Sequence, residues 1–413
     1  MTSEPQLYVG LAAHTGAAPV PAGLLKIARR GNVESGEFAY GRRYLQSADA
    51  LALNPHVLPL QDRPFVIPER RVRDGGALPL TFRDALPDSW GRKVLELQAG
   101  RSLSDSEALL LTNADRVGAM VFGESLPLAT DTPPAELFDL ETLADAARRV
   151  DHDLAIKPAL QRVLQGGSLG GARPKATMII DGQRWLAKFP ARGDDHPVEI
   201  VEAATMGLAA ACGIEVPAHQ LRPLGQGKGE ALLMQRFDRE GPVTDERRRH
   251  YLSASALLDV PYESSGGSYV ELAQALRRLS FRPEQDLQQL FRRMVFNLVV
   301  DNSDDHVKNH GVLHHGRGRW CLAPAFDLVM QMTHIGYQQL AILPGRMDSQ
   351  LDLAREAAPQ FGLSAQRAED LIVQIGETVM TQAWLAFKAC GAERSLLDLV
   401  RASLEKQAQR IGG

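Results

Sequence analysis

The 413-residue sequence has few of the features that mark secreted, metal-stapled or membrane proteins. It holds three cysteines and no Cys-x-x-Cys pair, which argues against a zinc ribbon, a redox motif or a disulfide framework. No run of ~18 apolar residues occurs, and no basic segment followed by an apolar one opens the chain. We therefore expect a cytoplasmic protein with no membrane segment.

A strong excess of positive charge is also missing, because the formal net charge is -4. Such a chain has no surface-wide field that would attract a polyphosphate backbone, so direct nucleic-acid binding by the whole surface is disfavoured. What the chain does have is length and a hydrophobic content of 44%. Together these predict a globular protein of two or three domains with a substantial core.

The first part of the chain predicts a β-rich unit. Short apolar runs such as "QLYVGLA" and "FAYGRRYL" are broken by Gly and Pro. Asp88 or Ser89 is a suitable N-cap for a helix over "WGRKVLELQ", and "VGAMVFGES" predicts a strand that ends at Gly123. The turn-rich stretch "LATDTPPAEL" then marks a boundary, so we place this domain at residues 1–127.

The next part predicts a hairpin followed by a helix. "KATMII" and "RWLAKF" are strand-like runs separated by the two-residue turn "DG". In "DDHPVEIVEAATMGLAAACG", Asp195 is a candidate N-cap and Gly213 a candidate end of the helix. Further on, "QDLQQLFRRMVFNLVV" has apolar residues at helical spacing. That helix leads directly into "VVDNSDDHVKNHGVL".

This polar stretch carries the strongest chemical signal. Asp304 and Asn309 have the D-x-x-x-x-N spacing of a protein-kinase catalytic loop, in which the Asp orients or accepts the proton of the substrate hydroxyl and the Asn binds magnesium. The following "GVLHH" and "WCLAPAFDLV" predict a hairpin that brings Asp327 back beside Asn309. Two oxygen ligands from separate segments suit Mg²⁺. The pattern therefore predicts a phosphoryl-transfer site.

An upstream series of residues fits the same chemistry. The loop "GGSLGG", which includes Gly170 and Gly171, would let backbone N–H groups approach phosphates. Lys188, on the second hairpin strand, would neutralise them, and Glu202 on the next helix would hold that lysine in place. It is the order of these parts that points to a kinase.

Each part also has an ordinary structural interpretation. A Gly-rich loop is often only a turn, Lys188 a strand-edge lysine and Glu202 a solvated helix residue. The polar stretch would then be a capped loop in which Asp301 and Asp305 face water.

The segments "GSLGGARPKATM", "LAKFP", "CGIEVP", "QRFDR", "YESSGG", "DDHVKN" and "PAFDLV" follow one another over roughly residues 166–330. In this order they resemble the HipA-type serine/threonine kinases, the toxins of bacterial toxin–antitoxin pairs. The resemblance implies that Asp304 is the catalytic base, that Asn309 and Asp327 are magnesium ligands, and that Lys188 binds phosphate.

The resemblance also assigns residues that spacing alone does not. Gln235 and Phe237, in "QRFDR", correspond to the positions that meet adenine, and Ser168 to the serine whose autophosphorylation switches the kinase off. Two departures stand out. Pro174 stiffens the Gly-rich loop, and Asp305 adds a negative charge beside the presumed base, where it either shifts the pKa of that base or faces water.

The resemblance implies an α+β, two-lobed protein-kinase-like (HipA-like) fold with an additional N-terminal β-rich domain. The kinase N-lobe is expected at residues 135–238 and the mostly helical C-lobe at 239–413. The implied activity is transfer of phosphate from ATP, with Mg²⁺, to a cytoplasmic protein, for which an aminoacyl-tRNA synthetase is a candidate. The implied partner is a helix-turn-helix antitoxin of HipB type, through which alone the chain would meet DNA.

Three alternatives remain open at this point. A small-molecule phosphotransferase of the aminoglycoside or choline kinase type shares the D-x-H-x-x-N pattern of "DDHVKN". A metal-binding module would use His306, His310 and His314, although Gly311 and the strand-like "GVLHH" interrupt the helix that their spacing needs. A non-catalytic regulator would use the kinase fold only to bind a DNA-bound partner, with basic runs such as "ERRRH" against DNA.

Overall fold

The computed structural model describes residues 6–130, 138–165, 171–264 and 266–411. Its strands, in chain order, are β1 (Gln6–Leu11), β2 (Val20–Arg30), β3 (Val33–Tyr40), β4 (Phe65–Arg71), β5 (Met120–Gly123), β6 (Lys175–Ile180), β7 (Gln183–Lys188), β8 (His219–Pro223), β9 (Glu230–Gln235), β10 (Arg239–Glu240), β11 (Arg247–Arg248), β12 (Tyr251–Ser253), β13 (Gly311–His314) and β14 (Trp320–Leu322).

The helices of the described residues are α1 (Arg42–Leu45), α2 (Leu80–Arg83), α3 (Ser89–Ala99), α4 (Asp105–Leu111), α5 (Leu140–Asp151), α6 (Pro158–Leu164), α7 (Val198–Ala211), α8 (Ala254–Leu258), α9 (Tyr269–Leu279), α10 (Pro283–Val299), α11 (Leu351–Ala357), α12 (Ala365–Ala389) and α13 (Arg394–Ile411). Among them, no helix is both long and apolar enough to cross a membrane.

The chain divides into two compact units. Unit 1 comprises residues 1–187, 238–252 and 313–318, and unit 2 comprises residues 188–237, 253–312 and 319–413. The mixture of helices and sheets agrees with the predicted fold class. The predicted three-part division at 1–127, 135–238 and 239–413 stays a prediction.

Unit 1 contains the predicted β-rich region as a five-stranded antiparallel sheet in the order β4-β3-β2-β1-β5. A Cβ atom at Gly10 would lie 2.5 Å from Leu128 Cδ1 and 2.7 Å from the carbonyl oxygen of Val20, so this position of β1 requires glycine. The strand ending at Gly123 is confirmed as β5. In the run "FAYGRRYL", the first three residues end β3 and the last four form α1.

Two local predictions in unit 1 are confirmed by hydrogen bonds and dihedral angles. The Asp88 side chain accepts a hydrogen bond from the Gly91 N–H at 2.8 Å and caps α3. Between β6 and β7, Asp181 has φ 50° and Gly182 has φ 73°. Two successive positive φ angles are what a two-residue hairpin turn requires, and both residue types tolerate them.

Unit 2 is built mainly from helices. α7 is buried around most of its circumference and packs against α12, while α10 packs against α9 and α12. The predicted stripe of α10 is confirmed, since its apolar side chains are buried: Leu287, Leu290, Phe291, Met294 and Leu298. The Asp195 cap is wrong, because α7 begins at Val198 after Pro197. Its predicted end is right, with Gly213 at φ 75°.

Candidate active site

Lys188 and Glu202 form a buried ion pair in unit 2. Lys188 is the last residue of β7, and Glu202 lies on α7. Lys188 Nζ donates a hydrogen bond to Glu202 Oε1 at 2.6 Å. Because α7 is buried nearly all round, Glu202 is brought into the interior and its carboxylate must be paired. The interpretation of Glu202 as a solvated helix residue is therefore wrong.

Asp327 is the third member of this cluster, with Oδ1 2.9 Å from Lys188 Nζ. Backbone hydrogen bonds hold the chain on both sides of it. The Ala325 N–H donates to the carbonyl of Glu215 at 2.7 Å, and the Met330 N–H donates to Thr205 Oγ1 at 3.1 Å. Asp327 itself has φ 57°, in the left-handed region. Its side chain is 34% exposed, so solvent reaches the cluster at this residue.

Electrostatics hold the lysine of this cluster in its charged form. Burial by itself would lower the pKa of Lys188, but the attraction of Asp327 and Glu202 and their hydrogen bonds outweigh burial and raise it. For Glu202, burial raises the pKa and the nearby Asp327 charge adds to that, while Lys188 opposes both. The cluster therefore presents a fixed ammonium group beside a carboxylate that reaches solvent.

The polar stretch follows α10 as predicted. The chain leaves the helix through Asp301, at φ 52°, and makes a short 3₁₀ turn over Val307–Asn309. Asp304 is exposed on this loop, and its Oδ1 accepts a hydrogen bond from Gln339 Nε2 at 2.9 Å. Asn309 is buried, and its Nδ2 donates to the Asp304 backbone carbonyl at 3.3 Å. The loop thus fixes Asn309 against the peptide of Asp304.

The surroundings of Asp304 favour a carboxyl group that binds a proton more readily than usual. Although the side chain reaches solvent, neighbouring protein groups reduce the hydration of its carboxyl group and raise its pKa, and the charges of Asp327 and Asp305 raise it further. His306 and the Gln339 hydrogen bond oppose them, yet the net shift is upward. A raised carboxyl pKa is a property expected of a group that accepts a proton during a reaction.

Asp305 does not face water, contrary to one of its two interpretations. Its side chain is buried, and Oδ2 accepts a hydrogen bond from the Tyr269 hydroxyl at 2.5 Å. Oδ1 lies 2.9 Å from His310 Nε2. Asn297 Nδ2 in turn donates to the Tyr269 hydroxyl oxygen at 3.0 Å. Asp305 therefore fixes the loop to the buried side chains of Tyr269 and His310. Its charge contributes to the raised pKa of Asp304.

Asp301 was also expected to face water in the plain-loop interpretation, and this too is wrong. Its side chain is buried, with Oδ1 2.7 Å from His334 Nδ1. Gln407 Nε2, on α13, donates to Oδ2 at 3.3 Å. Two buried aspartates therefore fix the two ends of the segment that exposes Asp304.

The remaining site residues lie in different places. Phe237 contacts Phe326, the neighbour of Asp327, with ring centroids 5.6 Å apart. Gln235 ends β9, and its backbone N–H donates to the Ala218 carbonyl at 2.8 Å. Gly171, in unit 1, has φ 103°, and its carbonyl accepts from Lys175 Nζ at 3.4 Å.

Two further predicted residues, Gly170 and Ser168, lie outside the described residues. Pro174 directly precedes β6, a position at which a missing N–H is tolerated.

The histidine metal module finds no support. His306 packs against Tyr262 with ring centroids 5.8 Å apart, and His310 is engaged with Asp305. Across the described ranges, no group of three or more His, Cys, Asp or Glu side chains is arranged to hold a metal ion. A magnesium site with two protein oxygens, one of them from an asparagine, is a different arrangement.

Comparison with known proteins gives a consistent result. Residues 167–384, more than half of the chain, match the HipA-like C-terminal domain family. The chain is 30% identical over 385 residues to "Putative kinase Y4mE" of Sinorhizobium fredii, covering 83% of this chain and 85% of that protein. The chain belongs to the HipA-like C-terminal domain family. A second protein of the same organism, "Putative kinase Y4dM", is 26% identical over 379 residues, covering 84% of this chain and 86% of its own.

The fold likeness extends over 98% of the chain. HipA of Shewanella oneidensis MR-1, solved in a complex with HipB and operator DNA, aligns with a TM-score of 0.69 and 17% identity, covering 98% of this chain and 96% of that one. The predicted HipA-like fold is thereby confirmed, as is the prediction that this member of the family is a kinase.

Some residues that shape the site escaped sequence reasoning. Gln339 lies in an irregular segment after Asp327, where no periodicity or motif marks it. Tyr269 begins α9, far from the loop in sequence, and a buried tyrosine at the start of a helix usually indicates only packing.

Proposed function

We propose that this kinase is an ATP-dependent serine/threonine-protein kinase that acts as the toxin of a bacterial toxin–antitoxin pair. The observation that carries the proposal is the cluster of Lys188, Glu202 and Asp327, which combines a buried, charged lysine with a carboxylate open to solvent. A purely structural ion pair has no need of a third, partly exposed carboxylate. A lysine that must bind ATP phosphates needs a partner that holds it in position.

Asn309 and Asp327 are the proposed magnesium ligands, and their oxygens fit such an ion. Asn309 Nδ2 is engaged with the Asp304 carbonyl, whereas Asn309 Oδ1 accepts no hydrogen bond from any residue in the described ranges. The Asp327 carboxylate is partly exposed beside the lysine. Amide and carboxylate oxygens are suitable donors for this ion, which when bound neutralises charge on the β- and γ-phosphates.

Asp304 is the proposed base. It orients the acceptor hydroxyl and takes its proton while the oxygen–phosphorus bond to the acceptor forms and the bond between the γ-phosphorus and the bridging oxygen of ADP breaks. The ammonium of Lys188 contacts the phosphates of ATP, and Glu202 keeps it in place. Gln235 and Phe237 are the proposed adenine-binding residues, and Gly170 and Gly171 are the proposed phosphate-binding glycines of the loop.

We also propose that autophosphorylation of Ser168 inactivates the enzyme. A phosphate adds ~1.5 to 2 negative charges, which in a Gly-rich loop would repel the phosphates of ATP. Intact-mass analysis after incubation with ATP and Mg²⁺ should show one added phosphate and a concurrent loss of ATP binding. Ser168→Ala should remain active, and phosphate found only elsewhere, with ATP binding intact, would exclude this regulation.

The biological assignment rests on family membership. HipA of S. oneidensis was solved with HipB and operator DNA. With its net charge of -4, the present chain lacks an overall positive field, so a helix-turn-helix antitoxin would supply the DNA-reading surface. The proposed acceptor is a cytoplasmic protein, with an aminoacyl-tRNA synthetase as the first candidate to test.

One experiment tests the activity and its acceptor together. Expression of the chain and of its Asp304→Asn variant at equal levels should arrest growth only for the active form, and phosphoproteomics after brief induction should identify the acceptor. Co-expression of the antitoxin should relieve the arrest. Equal toxicity of both forms would point to a non-catalytic scaffold. If neither form slowed growth while aminoglycosides or choline became phosphorylated in vitro, a small-molecule phosphotransferase would replace the proposal.

A further inference from the structure

The carboxylate of Asp304 has one hydrogen-bond partner from the rest of unit 2. Gln339 Nε2 donates to Asp304 Oδ1 at 2.9 Å. Asn309 donates to the backbone carbonyl of Asp304 and leaves the carboxylate untouched. Among the described residues, no other side chain or N–H donates to either carboxylate oxygen. The orientation of this carboxylate therefore depends on Gln339.

The backbone holds Gln339 in position for this contact. Its own N–H donates to the Ser303 carbonyl at 3.2 Å, and the N–H of Leu340 donates to the Asp305 carbonyl at 2.8 Å. These two hydrogen bonds lie on either side of Asp304. The segment therefore runs along the loop that carries Asp304 and places the Gln339 side chain beside its carboxylate.

The neighbours of Gln339 explain why its side chain points outward. Leu340 is buried, and Gln338 is buried with its Nε2 donating to Ser349 Oγ at 3.1 Å. Gln339, between them, is exposed. Side chains alternate in this way along extended backbone. The Gln338 N–H donates to the Met347 carbonyl at 2.7 Å, and this hydrogen bond joins the two ends of the loop between them.

We propose that Gln339 is a positioning residue that fixes the rotamer of Asp304 and so directs Oδ2 to the acceptor hydroxyl. The inference rests on the proposed function and adds a residue to it. One oxygen of the carboxylate is occupied by the amide donor, and the other accepts no hydrogen bond within the described part of the chain. A freely rotating carboxylate would present either oxygen, at variable distance, and misplacement by about 1 Å costs up to about 10²-fold in rate.

The proposal is tested with Gln339→Ala and Gln339→Glu. The glutamate variant keeps the size of the side chain but replaces the donor by a second negative charge, which repels Asp304. We expect the single-turnover rate of self-phosphorylation to fall about 10- to 100-fold in both variants. The affinity for ATP and the melting temperature should stay close to those of the wild type, because neither the ATP-binding residues nor the core is altered.

Gln366→Ala is the matched control. Gln366 Nε2 donates to Asp370 Oδ1 at 2.8 Å on α12, so it is also an exposed glutamine hydrogen-bonded to an aspartate. Its removal should leave the self-phosphorylation rate unchanged. An equal fall in rate for the control would show that loss of any such surface pair slows the enzyme, and would overturn the proposal.

The remaining outcomes separate the positioning role from the proposed function. If Asp304→Asn is inactive and Gln339→Glu keeps its rate within about twofold of the wild type, the positioning role is wrong and the kinase assignment stands. A slow Gln339→Glu variant that also loses ATP affinity or melts at lower temperature would mean that the residue is structural. If Asp304→Asn transfers phosphate at the wild-type rate, the function proposed for Asp304 is wrong. The positioning role proposed for Gln339 is then wrong as well.

Discussion

Each of the two units contains a cluster of buried charged side chains, and the clusters differ in how they meet solvent. In unit 1, Arg184 pairs with Glu246 at 2.9 Å and with Asp115 at 3.4 Å, and Arg239 pairs with Asp238 at 2.6 Å. Every side chain in these pairs is at most 8% exposed. In unit 2, the cluster around Lys188 includes Asp327, which is 34% exposed.

The comparison separates a cluster enclosed by protein from one that reaches solvent, although both are made of the same residue types. The unit 1 cluster is completed by backbone groups, since the Gly118 carbonyl accepts from Arg239 at 3.1 Å and from Arg248 at 3.1 Å. Buried charges paired in this way contribute to the specificity of a fold. The unit 2 cluster keeps one carboxylate, that of Asp327, accessible to solvent.

The largest expected effect is on catalysis at the open cluster. Asp327→Asn and Asp304→Asn should each abolish measurable phosphoryl transfer, because one removes the proposed magnesium ligand and the other the proposed base. Both variants should fold, since both positions reach solvent. Phosphoryl transfer is measured with ATP and Mg²⁺, and folding is measured by thermal melting of the same samples. Near-wild-type turnover in either folded variant would show that the role assigned to that residue is wrong.

The closed cluster should respond in the opposite way, through stability. Glu246→Gln removes the carboxylate shared by Arg184 and Arg239 and leaves buried positive charge undercompensated. Breaking a buried pair in this way costs about 3–5 kcal/mol. Denaturant melting should show a large loss, while the ATP affinity of the protein that remains folded is retained.

A surface ion pair serves as the control for that stability measurement. Arg394 and Asp398 are 3.9 Å apart and largely exposed, so Asp398→Asn should leave the melting curve unchanged. A destabilisation as large as that of Glu246→Gln would remove the distinction between closed and surface pairs.

An intermediate effect is expected inside the open cluster. Glu202→Gln keeps the shape of the side chain but weakens the hold on Lys188, which retains Asp327 as a partner. We expect the catalytic efficiency for ATP to fall about tenfold, less than for Asp327→Asn. Steady-state kinetics with varied ATP provide the measurement. An unchanged efficiency would remove Glu202 from the site.

The smallest effect is a displacement of the pH profile. The pKa of Asp304 is raised, so the carboxyl keeps its proton to a higher pH than an ordinary aspartate, whose pKa is about 3.9. A protonated Asp304 cannot accept a proton, so activity should be lost as the pH falls through this raised pKa. The acidic limb of the rate profile should therefore lie above the usual aspartate range. If activity is instead lost within the usual aspartate range, the raised pKa of Asp304 does not persist when substrate is bound.

Sequence reasoning found those parts of the site that local chemistry determines. Short stretches of sequence determine three such features: the "DG" turn between β6 and β7, the buried stripe of α10, and the spacing of Asp304 and Asn309. The pairing of Lys188 with Glu202 followed from the order of the elements. These features need no knowledge of distant partners.

What sequence reasoning could not supply were contacts between residues far apart in the chain. The sequence leaves open whether Asp305 faces water, and the structure shows its buried carboxylate accepting a hydrogen bond from Tyr269, 36 positions earlier. Gln339 reaches Asp304 across 35 positions through a segment with no periodic pattern. The closed cluster of unit 1 joins Asp115 and Glu246 through Arg184, and nothing in the spacing of these residues predicts it.

The left-handed backbone at Asp327 determines which substitutions at this position would inactivate the protein without unfolding it. At φ 57°, asparagine and glycine are accommodated most readily, whereas β-branched side chains strain the chain. If expression arrests growth, survivors carry inactivating alleles, and those at codon 327 fall into two classes. Asn and Gly alleles should accumulate as folded, inactive protein, whereas Val alleles should yield little protein.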